Sequence, residues 1–200
     1  MRLRASNIFL SAVAAAFLLA GCGGETPANA GDARAAAVQK AATGEMAAFQ
    51  LAEAGARIPD MDVNGPDGVA NPVADDLAEV TLVNLWATWC APCVIEMPAL
   101  NALQDSYDPQ QFRVVPISLD QTPEKAQAFY KKSGLDALVF RHDPGFESAS
   151  LFKAPGLPIS VLYDAGGNEI GRINGPAEWD TDEARALIDA ALASEPDEGA

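Results

Sequence analysis

Apolar, strand-like segments alternate with segments of helical periodicity through the middle of the chain. Residues 80–87 are a continuous apolar run with β-branched side chains, typical of a central strand that is buried on both faces. Residues 91–107 carry apolar side chains at helical spacing. Residues 112–119 predict a second strand, and Pro123–Ser133 predicts a helix with Gly134 at its C-terminal end.

The flanking segments continue this pattern. The predicted elements are a short strand at 61–63 with a turn at 64–68, a strand at 137–141, a short helix at 146–152, a hairpin of Ile159–Asp164 with 169–173, and an amphipathic helix at 182–193. Alternating strands and helices predict an α/β layer fold, and the late hairpin requires a mixed sheet.

The N-terminus has the features of an export signal. Arg2 and Arg4 precede an apolar stretch, residues 8–20, which is too short to span a bilayer. The stretch ends in Leu-Ala-Gly-Cys and resembles the bacterial lipobox, which implies cleavage after residue 21 and acylation of Cys22.

This interpretation divides the chain into four parts. Residues 1–21 are a lipoprotein-type signal peptide, and residues 22–56 are the lipidated cysteine with a flexible, Ala-rich tether. Within the tether, residues 34–56 either form a short helix or stay disordered. Residues 57–193 are the globular domain, and residues 194–200 are an acidic tail.

Charge narrows the range of partners. The 200 residues include 28 acidic and 13 basic side chains, a formal net charge of −15. Binding to nucleic acid requires clustered Lys and Arg, so a nucleic-acid partner is excluded. An acidic surface also binds anionic lipids poorly, so attachment to a bilayer depends on the acyl chains of Cys22.

The three cysteines point to redox chemistry. If Cys22 is acylated, Cys90 and Cys93 form a close pair, and a zinc site would need more cysteine or histidine ligands than the chain offers. The pair follows a strand and begins a helix, where unpaired N–H groups stabilise a thiolate and lower a cysteine pKa to about 3.5–7.5. Cys90 is therefore the predicted nucleophile, and Cys93 is the predicted resolving thiol.

Residues 83–93, Val-Asn-Leu-Trp-Ala-Thr-Trp-Cys-Ala-Pro-Cys, resemble the TlpA/ResA-like thiol–disulfide oxidoreductases of the thioredoxin superfamily. The resemblance covers residues 57–193 and implies a thioredoxin-like fold, a mixed central sheet flanked by helices, with a strand–helix insert before a cis-proline loop. It implies that Trp86 and Trp89 lie beside the cysteines and contact the substrate. It also implies that Leu157 and Pro158 contact the substrate from the cis-proline loop.

The resemblance gives Glu96 a role in proton transfer. Asn84 stands where thioredoxin has a buried Asp, and Asn cannot transfer a proton. Glu96, one helical turn after Cys93, takes over in this branch. We expect a partly buried carboxyl with a raised pKa that exchanges a proton with Cys93, although a solvated helix Glu would be the ordinary structural alternative. Residues 159–161, Ile-Ser-Val, depart from the family's usual two threonines and aromatic.

The implied function is that of a monomeric, membrane-tethered periplasmic disulfide reductase without a cofactor. It would receive electrons from a transmembrane thiol carrier. Its clients would be protein disulfides, either haem-site cysteines of apocytochrome c or cysteines of copper-site assembly factors. The Ala-Pro dipeptide between the cysteines lacks the His that is typical of strongly oxidising relatives.

Two other functions stay open. A copper-binding assembly module would join His142 to Cys90 and Cys93, because soft thiolates and imidazole suit copper. The pattern Arg-His-Asp around His142 is, however, more typical of a surface histidine. An inert lipoprotein scaffold would leave the cysteine pair without a purpose.

Overall fold

The computed structural model describes residues 30–193. The strands are β1 (Gln50–Leu51), β2 (Asp62–Asn64), β3 (Ala70–Pro72), β4 (Val80–Trp86), β5 (Phe112–Ser118), β6 (Arg141–His142), β7 (Ile159–Asp164) and β8 (Glu169–Asn174). The α-helices are α1 (Ala30–Ala41), α2 (Ala91–Asp105), α3 (Pro123–Ser133), α4 (Glu147–Leu151) and α5 (Asp182–Leu192), with 3-10 turns at Gly44–Met46 and Val73–Asp76. The predicted signal peptide, Cys22 and the acidic tail lie outside the described residues.

Within residues 30–193 the strands form one mixed sheet in the order β1-β8-β7-β4-β5-β6-β2-β3. The central strand β4 runs parallel to β5 and antiparallel to β7, and all seven of its residues are buried. The continuous apolar run in the sequence therefore predicted this strand correctly, because a strand covered on both faces needs no polar side. The predicted mixed α/β architecture is confirmed.

Helix α3 ends where the sequence predicts, and the other predicted helices end within two residues of their expected ends. Gly134 ends α3 in the left-handed conformation with φ +64°, which glycine adopts without steric cost. At the start of α5 the Thr181 hydroxyl accepts a hydrogen bond from the Ala184 amide at 3.2 Å.

No helix among residues 30–193 has both the length and the apolar content needed to cross a bilayer.

The predicted strand at 137–141 is wrong in extent. Only Arg141 and His142 join the sheet, as the short strand β6 beside β5. Side chains hold the preceding backbone instead: the Asn101 side chain accepts from the Ala137 amide at 3.1 Å, and the Tyr130 hydroxyl donates to the Val139 carbonyl at 3.1 Å. An apolar run alone does not distinguish such a loop from a strand.

The domain begins earlier than the expected boundary at residue 57. Residues 30–51, which we name the N-terminal arm, consist of α1, a 3-10 turn and β1, and α1 packs against α5. The side chains of Val38, Met46 and Phe49 are buried in the core. Burial of a large apolar side chain contributes about 1.5–3 kcal/mol, so the described part of the expected tether is an integral layer of the fold.

Close backbone contact at Gly171 fixes the N-terminal arm to the sheet. Strand β1 pairs antiparallel with β8, with Leu51 opposite Gly171. A Cβ atom at Gly171 would lie against the Gln50 carbonyl oxygen and within 2.5 Å of the Phe49 ring. Only glycine allows the arm to come this close.

We therefore expect Gly171→Ala to detach the arm from β8 and to destabilise the protein by roughly 1–3 kcal/mol, the usual cost of overpacking. Urea unfolding would measure the loss, and limited proteolysis would show faster cleavage within residues 30–53. Gly156→Ala is the matched control, because no atom lies within 4 Å of its added Cβ. Equal stability of the two variants would contradict this account of the arm.

Candidate functional site

The redox pair lies where the central strand ends and α2 begins. Cys90 is the N-cap residue of α2 and is joined to Cys93 by a disulfide, with a Cα–Cα distance of 5.3 Å. Cys90 keeps 7% of its surface exposed, whereas Cys93 is fully buried. Of the two cysteines, only Cys90 has any exposed surface, which fits the predicted order of attack and resolution.

The helix terminus provides the electrostatics for a thiolate at Cys90. The Cys93 amide points at the Cys90 sulfur, with an N–S distance of 3.4 Å. The first amides of a helix lack carbonyl partners and carry the positive end of the helix dipole. In the reduced state both effects favour the charged sulfur.

The cis-proline loop lies beside the same junction. The Leu157–Pro158 peptide is cis, as the resemblance implies. Strand β7 begins directly afterwards and pairs Ile159 with Leu85 near the end of β4. The Pro158 carbonyl accepts from the Gly175 amide at 2.9 Å, which holds the loop against the end of β8.

The Glu96 carboxyl is buried within the protein. Its Oε1 accepts a hydrogen bond from Asn84 Nδ2 at 2.8 Å, and its Oε2 accepts one from the Ala177 amide at 3.2 Å. Burial raises the pKa of Glu96 to about 7, and the two hydrogen bonds together with the nearby Trp179 side chain oppose that rise. The expected burial and raised pKa are confirmed, and the burial is deeper than the partial burial we expected.

Asn84 connects Glu96 to the strand after the cis-proline loop. Its Nδ2 donates to Ser160 Oγ at 3.0 Å as well as to Glu96. The buried Oδ1 has no hydrogen-bond partner among the described residues. The amide can therefore reverse its orientation and accept a hydrogen bond from a protonated Glu96, so this position can serve both protonation states.

The two tryptophans of the motif lie in different environments. Trp86 is fully buried and packs against Phe129 and Tyr130 of α3, with ring centroids 5.4 and 5.9 Å away. Trp89 is 61% exposed beside Cys90. Trp86 therefore supports the core and has no surface to offer a substrate in this conformation, whereas Trp89 does.

Sequence reasoning missed Asp120, a buried residue just after β5. Its carboxylate accepts hydrogen bonds from the Thr88 amide at 3.1 Å, from the Thr88 hydroxyl at 2.6 Å and from the Ser118 hydroxyl at 2.9 Å. These bonds fix the residues between β4 and Cys90. The available signal was a polar residue at the carboxyl end of the apolar strand predicted at residues 112–119.

His142 is buried, so the expectation of a surface histidine is wrong. It belongs to strand β6, and its Nε2 lies 2.7 Å from the Asp120 carbonyl oxygen just after β5. Residues 30–193 contain no group of three or more His, Cys, Asp or Glu side chains placed to hold a metal ion. The structure thus does not assemble His142 with the cysteines as a copper site.

Comparisons with known proteins agree with this geometry. Residues 54–172 match the family model described as AhpC/TSA family. The chain is 31% identical over 137 residues to the thiol:disulfide interchange protein HelX of Rhodobacter capsulatus, covering 68% of this chain and 69% of that protein. It is 30% identical over 123 residues to the thiol-disulfide oxidoreductase ResA of Bacillus cereus, covering 62% and 70%.

Solved structures give the same result. A putative thiol:disulfide interchange protein DsbE from Chlorobium tepidum superposes with a TM-score of 0.63 at 28% identity, covering 72% of this chain and 99% of that chain. The family match covers more than half of the sequence, and the predicted thioredoxin-like fold is confirmed. The chain therefore belongs to the AhpC/TSA family, among its thioredoxin-like thiol–disulfide oxidoreductases.

Proposed function

We infer that this oxidoreductase works as a reductase of protein disulfides, with Cys90 as nucleophile and Cys93 as resolving thiol. The observation that carries this proposal is the arrangement of the pair: a reachable sulfur at a helix N-terminus is bonded to a fully buried one. A buried carboxyl with a pKa of about 7 lies one helical turn beyond Cys93. Cys93 has no exposed surface and is not placed to attack a client.

The reaction balances as two successive exchanges. The Cys90 thiolate attacks a client disulfide and forms a mixed disulfide, and the first client thiolate leaves and takes up a proton. Cys93 then gives its proton to the Glu96 carboxylate and attacks the Cys90 sulfur. The second client thiolate leaves, and the Cys90–Cys93 disulfide of the present structure results. Two electrons have passed to the client, and a thiol donor must return them.

The cellular setting follows from the N-terminal sequence. We assign residues 1–21 as a signal peptide and Cys22 as the lipidated residue, which places the domain in the periplasm on a membrane. A transmembrane thiol carrier would supply electrons. Clients would be cysteines awaiting haem in apocytochrome c, or cysteines of copper-site assembly factors. Trp89, Leu157 and Pro158 would contact them.

The copper-binding alternative has weaker support. It requires His142 to approach the two cysteines, but the imidazole is buried against the Asp120 carbonyl. Thiol–disulfide exchange needs only the arrangement that is already present. We therefore favour the oxidoreductase over the copper module.

Replacement of each cysteine separates the two roles. We expect reduced Cys93→Ser to accumulate a mixed disulfide with a disulfide-linked peptide, because resolution is blocked. Cys90→Ser should form no such adduct, because its remaining thiol is buried. Mass spectrometry under non-reducing conditions measures both. Equal adducts on the two variants would contradict the assigned order of attack.

Glu96→Gln tests the proton transfer. In the wild type we expect the resolution step to accelerate as the pH rises through about 7, because the ionised carboxyl can then accept the Cys93 proton. Glu96→Gln should lose this acceleration and resolve more slowly at pH 8. Stopped-flow decay of the mixed disulfide gives the rates. Identical pH profiles would remove Glu96 from the mechanism.

The same carboxyl should make stability depend on pH. The pKa of Glu96 is about 7 in the folded state, against 4.5 for the ordinary group. Between these two pH values the carboxyl is protonated in the folded state and ionised in the unfolded state. The free energy of unfolding of the oxidised protein should therefore decrease as the pH rises from 4.5 to 7, by roughly 3 kcal/mol at most.

Urea unfolding at pH 4.5 and pH 7.5 measures this dependence. Glu96→Gln should lose less stability than the wild type over this interval, whereas Glu147→Gln, at an exposed position, should follow the wild type. An equal change in the free energy of unfolding from pH 4.5 to pH 7.5 in the wild type and in Glu96→Gln would contradict the assigned shift.

A further inference from the structure

A depression of 310 Å³ opens beside the redox pair. Its lining residues are Trp89, Asp120, Gln121, Thr122, Lys125 and Phe146. The two aromatic rings form its apolar walls, with Trp89 61% and Phe146 38% exposed. Because Trp89 directly precedes Cys90, a group that contacts the Trp89 ring in this depression lies one residue along the chain from the reactive cysteine. We name it the aromatic subsite.

Phe146 is held in a conformation that non-glycine residues rarely adopt. Its φ is +59° and its ψ is +19°, in the left-handed region. The buried Asp143 carboxylate locks this loop by accepting hydrogen bonds from the Gly145 amide at 3.0 Å, from the Ser148 amide at 2.7 Å and from the Ser148 hydroxyl at 2.6 Å. Backbone strain that the surroundings enforce in this way is typical of ligand-contacting positions.

The Trp89 wall has a similar support. The Asp120 carboxylate binds both the amide and the hydroxyl of Thr88, the residue before Trp89. His142 connects the two supports, because its ring contacts the Asp120 carbonyl and it directly precedes Asp143. Hydrogen bonds therefore fix the backbone that carries both aromatic rings, and the subsite is preorganised for a ligand.

The charges around the subsite favour an acidic residue of the ligand. The Asp120 carboxylate is occupied by its three hydrogen bonds. Lys125 is exposed, and among the described residues it forms no salt bridge. In a chain with a net charge of −15, the subsite thus presents an available cation beside two aromatic rings.

We propose that the aromatic subsite binds the side chain that flanks the reactive cysteine of a client polypeptide. The guest is an aromatic or large aliphatic side chain between Trp89 and Phe146, and an acidic residue nearby is favoured by Lys125. A mixed disulfide holds the client sulfur about 2 Å from the Cys90 sulfur, and the next client Cα is about 3.8 Å from that of the client cysteine. Trp89 and Cys90 are likewise consecutive, with Cα atoms about 3.8 Å apart, so a flanking side chain is the part of the client that is placed to meet Trp89. This proposal rests on the proposed function.

The test uses symmetrical disulfide-linked peptides of five residues, each with a central cysteine flanked on both sides by Gly or by Phe. Bis(2-hydroxyethyl) disulfide serves as a small disulfide without side chains. The reduced wild-type protein should react about tenfold faster with the Phe peptide than with the Gly peptide, the lower end of what an apolar pocket discriminates. Stopped-flow tryptophan fluorescence follows oxidation of the protein.

Three variants identify the source of this preference. Phe146→Gly removes the ring but keeps a residue suited to φ +59°, so the ratio of Phe-peptide to Gly-peptide rates should fall from about ten to about one. Phe146→Tyr should keep the ratio. Leu151→Ala is the matched control, since this apolar side chain on α4 is 45% exposed and lies outside the depression.

Lys125→Glu tests the charge in the same assay. A peptide with Glu beside its Phe residues should react several-fold more slowly with Lys125→Glu than with the wild-type protein, at low ionic strength. Equal wild-type rates for the Phe and Gly peptides, or a ratio that survives Phe146→Gly, would overturn the aromatic subsite. Reduction of bis(2-hydroxyethyl) disulfide that survives Cys90→Ser would instead overturn the proposed function.

Discussion

One buried carboxyl holds the site together. Glu96 on α2 accepts hydrogen bonds from Asn84 of β4 and from the Ala177 amide in the loop before α5, and Asn84 extends the connection to Ser160 of β7. The central strand, the cis-proline strand and the last loop thus meet at a single acidic group. A buried carboxylate is costly unless it is hydrogen-bonded, and here those bonds come from the same elements that surround the cysteines.

The centre of the fold could be read from the sequence because its signals are local. A strand buried on both faces is a continuous apolar run, and the following helix has its own periodicity. The cysteine spacing then places both sulfurs on the first turn of that helix. Glu96 was identified through the resemblance to the TlpA/ResA-like oxidoreductases, in which a Glu one turn after the second cysteine takes over from the acid that Asn84 replaces. None of these inferences needed information about distant contacts.

The remaining features depend on contacts between distant parts of the chain. Strand β1 has two residues, too few for any alternation to be recognised, and the N-terminal arm is ordered because its side chains enter the core. His142 looked like a surface residue from its charged neighbours, yet β6 carries it into the sheet. The left-handed backbone of Phe146 was missed for another reason: nearby hydrogen bonds to Asp143 impose it, and the burial of Asp143 between charged and polar neighbours is not visible in the sequence.

The ordered arm changes how far an anchored domain could move. A flexible segment over residues 22–56 could span up to about 120 Å, whereas the stretch from Cys22 to the start of α1 spans at most about 29 Å. The Arg34–Asp164 salt bridge places α1 near the edge where β7 ends and β4 begins, opposite the cysteines. With a lipid on Cys22, the domain would therefore stay close to the bilayer, and its point of attachment would lie on the side away from the reactive sulfur.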